Sequence, residues 1–215
     1  MEVSSLIPRN ISLLKKLSSM VEKRSMGALQ FCIELVDSEP RVWRRVLVPI
    51  ESSLHKLHLT FQGAMGWENS HLYLFSEAGF DSKLQYTYPL DDSGQLPGIV
   101  QKDARKILIK KVFNQSQARL QYIYDFGDYW THNVLFEKYV DEELNSPVCM
   151  EGAGACPPED CGGIRGYQQM QLVFKQPFHP EQEEYRQWLG LEADENWNDK
   201  KFDFRETNRR LCLLE

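Results

Sequence analysis

Apolar residues recur along the chain at two spacings, and the switches between them outline the elements. In residues 8–24, Leu13, Leu14, Leu17, Met20 and Val21 fall at helical spacing with lysines on the other side, which predicts an amphipathic helix ended by Gly27. Leu29–Val36 and Val42–Val48 read as strands around the turn Asp37-Ser38-Glu39-Pro40, which predicts a β-hairpin. At Ser52–Ser53 the period changes to 3.6. Leu54, Leu57, His58, Phe61 and Met65 then form one stripe, with a serine to cap its start and Gly66 to stop it, giving a helix at 53–65.

His71–Ser76 alternates again as a strand, whereas residues 79–103 are rich in Asp, Ser, Gly and Pro and read as a long insertion. Leu120–Phe126 and His132–Val140 are strands on either side of Gly127-Asp128, a dipeptide suited to a two-residue turn. Helices are expected at 164–175, at 180–189, and from Asp203, whose carboxylate can cap it. The order β-β-α-β, a hairpin, then helices predicts a single α+β domain at 27–215 with a mixed or antiparallel sheet and helices packed on it. Residues 1–26 would form an N-terminal helical arm.

With 42% hydrophobic and 12% aromatic residues, 215 residues can build a substantial core. No run approaches the ~18 apolar residues of a membrane span. Lys15 and Lys16 interrupt the apolar N-terminal stretch, so it does not read as a signal peptide, and the reducing cytoplasm is the expected compartment. The net charge of −6 disfavours nucleic acid as a partner, and a protein partner is favoured. Asp141, Glu142, Glu143, Glu151, Glu159 and Asp160 account for that charge in a stretch without a basic residue. The run Lys102, Arg105, Lys106, Lys110, Lys111 reads as a solvated face.

Candidate chemistry concentrates in two places. Cys149, Cys156 and Cys161 put three thiols in thirteen residues among glycines and prolines, a composition that suits a loop wrapped round zinc. His132 is the expected fourth ligand, with His71 in reserve. The carboxylates around these thiols disfavour thiolates unless a cation reverses the balance. A redox pair and inert loop thiols are the alternatives, and Cys32 and Cys212 are expected as buried fillers. In the hairpin, a Gly127-Asp128 turn would set Asp125 opposite Trp130, placing Asp125, Trp130, His132 and Val134 on one face. Asp125 could then orient His132. The other reading is a hydrogen-bonded pair that only closes the hairpin.

Four blocks of sequence resemble the plasmid pRiA4b ORF-3-like family of mostly uncharacterised microbial proteins. They are Pro40-Arg-Val-Trp-Arg-Arg-Val-Leu-Val-Pro49, Gly63-Ala-Met-Gly-Trp-Glu-Asn-Ser-His-Leu72, Tyr124-Asp-Phe-Gly-Asp-Tyr-Trp-Thr-His132 and Cys156-Pro-Pro-Glu-Asp-Cys-Gly-Gly163. The resemblance implies an α+β domain and carries no established activity. Where the family usually has Ser-His-Leu-His, Tyr73 replaces the second histidine. Together these features predict a binding or interaction module with a structural metal in the Cys149–Cys161 loop. One alternative is a metal-dependent hydrolase with Asp125, Asp128 and His132 as candidate catalytic residues. The other, from family context, is a DNA-associated protein of a mobile element.

Overall fold

The computed structural model describes residues 27–88, 97–192 and 195–214. The predicted helix at 8–24 lies outside them. The elements run β1 (Ala28–Leu35), β2 (Trp43–Pro49), α1 (Leu54–Met65), β3 (Tyr73–Ser76), β4 (Leu84–Thr87) and β5 (Val100–Asp103). A single helical turn α2 (Ile109–Val112) follows, then β6 (Arg119–Tyr124), β7 (Trp130–Val140), β8 (Val148–Ala153), α3 (Gly163–Lys175), α4 (Gln182–Leu189) and α5 (Phe204–Cys212). The strands form one eight-stranded sheet in the order β5-β4-β3-β6-β7-β1-β2-β8. Among the described residues only the β4–β5 pair is parallel, so the sheet is mixed and the α+β expectation holds.

Period-two alternation fixes which side of the sheet carries the core. Leu29, Phe31, Ile33 and Leu35 of β1, Val46 and Val48 of β2, and Val134 and Phe136 of β7 are buried together with Leu54, Leu57 and Phe61 of α1. Helix α1 begins as its serine suggests, with Ser53 Oγ accepting from Lys56 N at 3.1 Å. It ends at Gly66 in the left-handed region, φ 97°, where the Gly66 N–H bonds back to Gln62 O. Ser53→Ala is expected to cost about 1 kcal/mol, read as a lower urea midpoint with an unchanged slope.

Two expectations need correction. The long insertion at 79–103 is not loop throughout its described residues, because β4 and β5 add two strands to the sheet edge there. Each strand is only four residues long, too short for alternation to stand out from the turn-forming residues around it. Cys212 is exposed near the end of α5 rather than buried, while Cys32 is buried as expected.

Arg44 occupies a core-side position of β2. The alternation that buries Val42, Val46 and Val48 also buries Arg44, which is 3% exposed. Four of the five N–H groups of its guanidinium are taken by main-chain carbonyls. Nε donates to Ala64 O, Nη1 to Trp43 O and Ala153 O, and Nη2 to Gly154 O, all at 2.8–3.0 Å. It thus ties the end of α1 to β2 and to the chain leaving β8.

Candidate metal centre

The β6–β7 hairpin is built differently from its two-residue expectation. Tyr124 pairs with Trp130 and Tyr122 with His132, so Asp125–Tyr129 form a five-residue loop closed by Tyr129 N to Asp125 O at 2.7 Å. Asp125 and Tyr129 both take left-handed backbone, φ 56° and 59°. The extra loop residues move Asp125 out of the strand ladder, so it does not stand opposite Trp130. His132 instead lies in the core with Nδ1 on Tyr122 O at 3.3 Å, and its Nε2 has no partner among the described residues.

Released from the ladder, Asp125 meets His71. Its N–H donates to Leu72 O at 2.9 Å, and its Oδ1 accepts from Gly127 N at 2.8 Å. This leaves Oδ2 3.7 Å from His71 Nδ1. On the other side of the ring, His71 Nε2 is 3.3 Å from Asp160 Oδ1. Asp160, also left-handed at φ 59°, arrives on the loop between β8 and α3. One ligand atom from each of His71, Asp125 and Asp160 lies within 4.8 Å of the others, and no other such group of three His, Cys, Asp or Glu occurs among the described residues.

The loop that delivers Asp160 is pinned from several directions. Asp128 Oδ2 accepts from Gly162 N at 3.2 Å, and Trp67 donates its indole N–H to Pro157 O at 3.0 Å. Tyr124 donates its hydroxyl to Glu159 Oε1 at 2.6 Å and accepts from Ser70 N at 3.0 Å. At Gly163 a side chain would meet the Asp128 carbonyl oxygen at 2.5 Å, and the backbone is left-handed, so glycine lets the loop seat on the hairpin. Three segments that are distant in sequence therefore converge on His71: Trp67–Leu72, the Asp125–Tyr129 loop, and Pro157–Gly163.

The three thiols do not make the expected three-ligand set. Cys149 is a β8 residue paired with Val46 of β2, whereas Cys156 and Cys161 lie in the following loop. Burial pushes the Cys149 thiol up to about 11 and those of Cys156 and Cys161 up to about 12, so all three stay protonated at neutral pH. The Arg44 guanidinium acts on both Cys149 and Cys156, so a zinc ion placed between them would sit beside a fixed positive charge. His132, the expected fourth ligand, is in no ligand group with them. The reserve residue, His71, belongs to the histidine–carboxylate cluster instead. Neither redox nor nucleophilic chemistry gains from thiols held so firmly in the neutral form.

In the sequence Asp160 figures as one of the clustered negative charges and as part of the Cys156–Gly163 block, not as a candidate ligand. Its one local signal is its place beside Cys161-Gly162-Gly163, at the turn of a loop that must fold back sharply.

A family model described as plasmid pRiA4b ORF-3-like protein matches residues 27–206. The chain belongs to the plasmid pRiA4b ORF-3-like family. A relative from Sinorhizobium fredii (strain NBRC 101917 / NGR234), the uncharacterized protein y4hQ, is 38% identical over 156 residues, 71% of this chain and 75% of that protein. The crystal structure of MM3350 from Methanosarcina mazei Go1, a protein of unknown function, superposes with a TM-score of 0.69 at 26% identity, covering 84% of this chain and 97% of that one. Three of the four sequence blocks that resembled the pRiA4b ORF-3-like family supply His71, Asp125 and Asp160. No helix among the described residues is long and apolar enough to cross a membrane.

Proposed function

We propose that this pRiA4b ORF-3-like protein is a binding module whose working site is a divalent cation held by His71, Asp125 and Asp160. The observation that carries the reading is the convergence of three ligand atoms from three separate segments within 4.8 Å. Two carboxylates offset a dication's charge. One imidazole among oxygen donors suits a borderline ion such as Zn²⁺ or Mn²⁺. Left-handed backbone at both aspartates fits residues held in place for a ligand.

The test is calorimetric titration of tag-free, chelator-treated protein with Zn²⁺ and with Mn²⁺. One equivalent is expected to bind, with affinity reduced ~10-fold or more by Asp160→Asn and by His71→Ala but unchanged by Cys156→Ser. Affinity that survives both site substitutions would place the ion elsewhere and end this reading.

A second reading, metal-dependent hydrolysis, draws support from the number of ligands. Three protein ligands leave a coordination position for water, as catalytic zinc sites do and closed structural sites do not. In that version Asp125 is a ligand rather than a base. His132 takes no part because its ring is enclosed in the core, and Asp128 is engaged by Gly162 N. Glu159, on Tyr124, is then the candidate to handle protons. The carboxylates of Glu159, Asp160 and Asp128 gathered on this rim make it an unfavourable seat for a DNA backbone.

A further inference from the structure

A second site with different chemistry lies beyond the carboxyl end of α1. Arg44 carries a buried charge that no carboxylate matches among the described residues, since its hydrogen-bond partners are all main-chain carbonyls. Cys156 and Cys149 are the titratable groups that act on it most, and both are neutral thiols. Buried guanidinium groups are ordinarily paired, so this one is short of a counter-charge. One of its five N–H groups also lacks an acceptor among the described residues.

A cavity of about 610 Å³ opens against Arg44, between the end of α1, the loop after β8 and the start of α5. Its size is that of a small-molecule site. Lys201 lines it and makes no ion pair among the described residues, and Met65, Trp197 and Phe202 give it apolar walls. The Trp197 indole N–H is buried without an acceptor among the described residues. Of the three acids in the same wall, Asp203 caps α5 by accepting from Glu206 N at 2.9 Å, Glu206 chelates Arg209 at 2.7 and 2.8 Å, and Glu195, exposed at the rim, accepts from Glu192 N at 3.4 Å.

We infer that this cavity binds a small organic anion, its carboxylate or phosphate group against Arg44 and Lys201 and its apolar part against Trp197 and Met65. The anion supplies the charge that Arg44 lacks. The apolar walls favour an organic molecule over a bare inorganic ion. The assignment stands apart from the cation site, because none of His71, Asp125 and Asp160 lines this cavity.

The experiment uses two probes that share an apolar part and differ in head group, benzoate and phenyl phosphate, each titrated calorimetrically into the full chain. At least one is expected to bind saturably at a single site, and which one binds identifies the head group. Lys201→Glu should weaken that binding about tenfold. Lys200→Glu, an equal charge change at an exposed neighbour outside the cavity wall, should leave it unchanged, as should His71→Ala. The inference is overturned if neither probe saturates below about 10 mM. It is equally overturned if Lys200→Glu or His71→Ala weakens binding as much as Lys201→Glu does.

Discussion

Replacing Arg44 with methionine is expected to remove about 3–5 kcal/mol of stability, a large share of the ~5–15 kcal/mol that holds a domain folded. Methionine matches the length of the side chain but donates nothing. The carbonyls of Trp43, Ala64, Ala153 and Gly154 would all lose a charge-assisted partner, and those of Ala64 and Gly154 are bonded by Arg44 at fully buried positions. The cation–π contact with Phe202, 4.4 Å from guanidinium carbon to ring centre, is lost as well. Lysine would fare only somewhat better, because one ammonium cannot span the directions that the planar fork reaches. Urea denaturation at pH 7 measures the effect. A loss below about 1 kcal/mol would show that the carbonyls find other partners and that Arg44 is not the tie between α1, β2 and β8.

The second large effect is acid lability between pH 7 and pH 5, driven by two enclosed histidines. His58 is held neutral by a consistent network. Its Nε2–H donates to Asn69 Oδ1 at 2.6 Å, and its bare Nδ1 accepts from Tyr122 OH at 2.8 Å, whose oxygen accepts from Gln62 Nε2 at 2.9 Å. His132 donates from Nδ1 to a carbonyl and buries Nε2 without a partner. Burial lowers the first to about 3 and the second to about 4, against an ordinary value of 6.5.

Both groups are bases whose folded-state values are depressed. At pH 5 the unfolded chain therefore binds two protons that the folded chain refuses. Stability is fully present above about pH 6.5, falls as pH drops through that value, and goes on falling until the folded-state values near 4 and 3 are reached. The loss from pH 7 to pH 5 is on the order of 3 kcal/mol. This window stays above the range in which the paired carboxylates titrate. Urea midpoints across it should decline in the wild type and decline about half as steeply in His132→Gln. A flat wild-type profile would mean that one or both rings accept a proton in the folded state.

The strongly periodic parts of this fold were legible in the sequence, and the parts set by loop geometry were not. The β1–β2 hairpin and α1 follow directly from their apolar spacing and caps, because their buried faces decide where each element must lie. The strands of the β6–β7 hairpin show in the sequence, but its turn does not. Gly127-Asp128 suits a tight turn, yet left-handed Asp125 and Tyr129 close a longer one, and that shift takes Asp125 to His71 rather than to the strand face of His132. His71 and Asp125 were both candidates for chemistry, in separate constellations. Their meeting with Asp160 depends on a loop more than thirty residues further along the chain, docked through Gly162 and Gly163, and no local pattern encodes that. Arg44 was visible in principle. It sits at a buried phase of β2's alternation, and a charged residue at such a position announces either a partner or a function.

The order of strands also bears on how the chain comes to be folded during synthesis. β1, made early, ends up inside the sheet between β2 and β7. Its pairing with β2 is available at once, but Leu35 must wait for His132 and Ala28 for Val140, ~100 residues later. Until β7 leaves the ribosome, the nascent hairpin presents a bare apolar edge containing Phe31, Ile33 and Leu35 to whatever else is nearby. At translation rates of roughly 5–20 residues per second that interval lasts several seconds, during which the unpaired edge of β1 is open to wrong pairing.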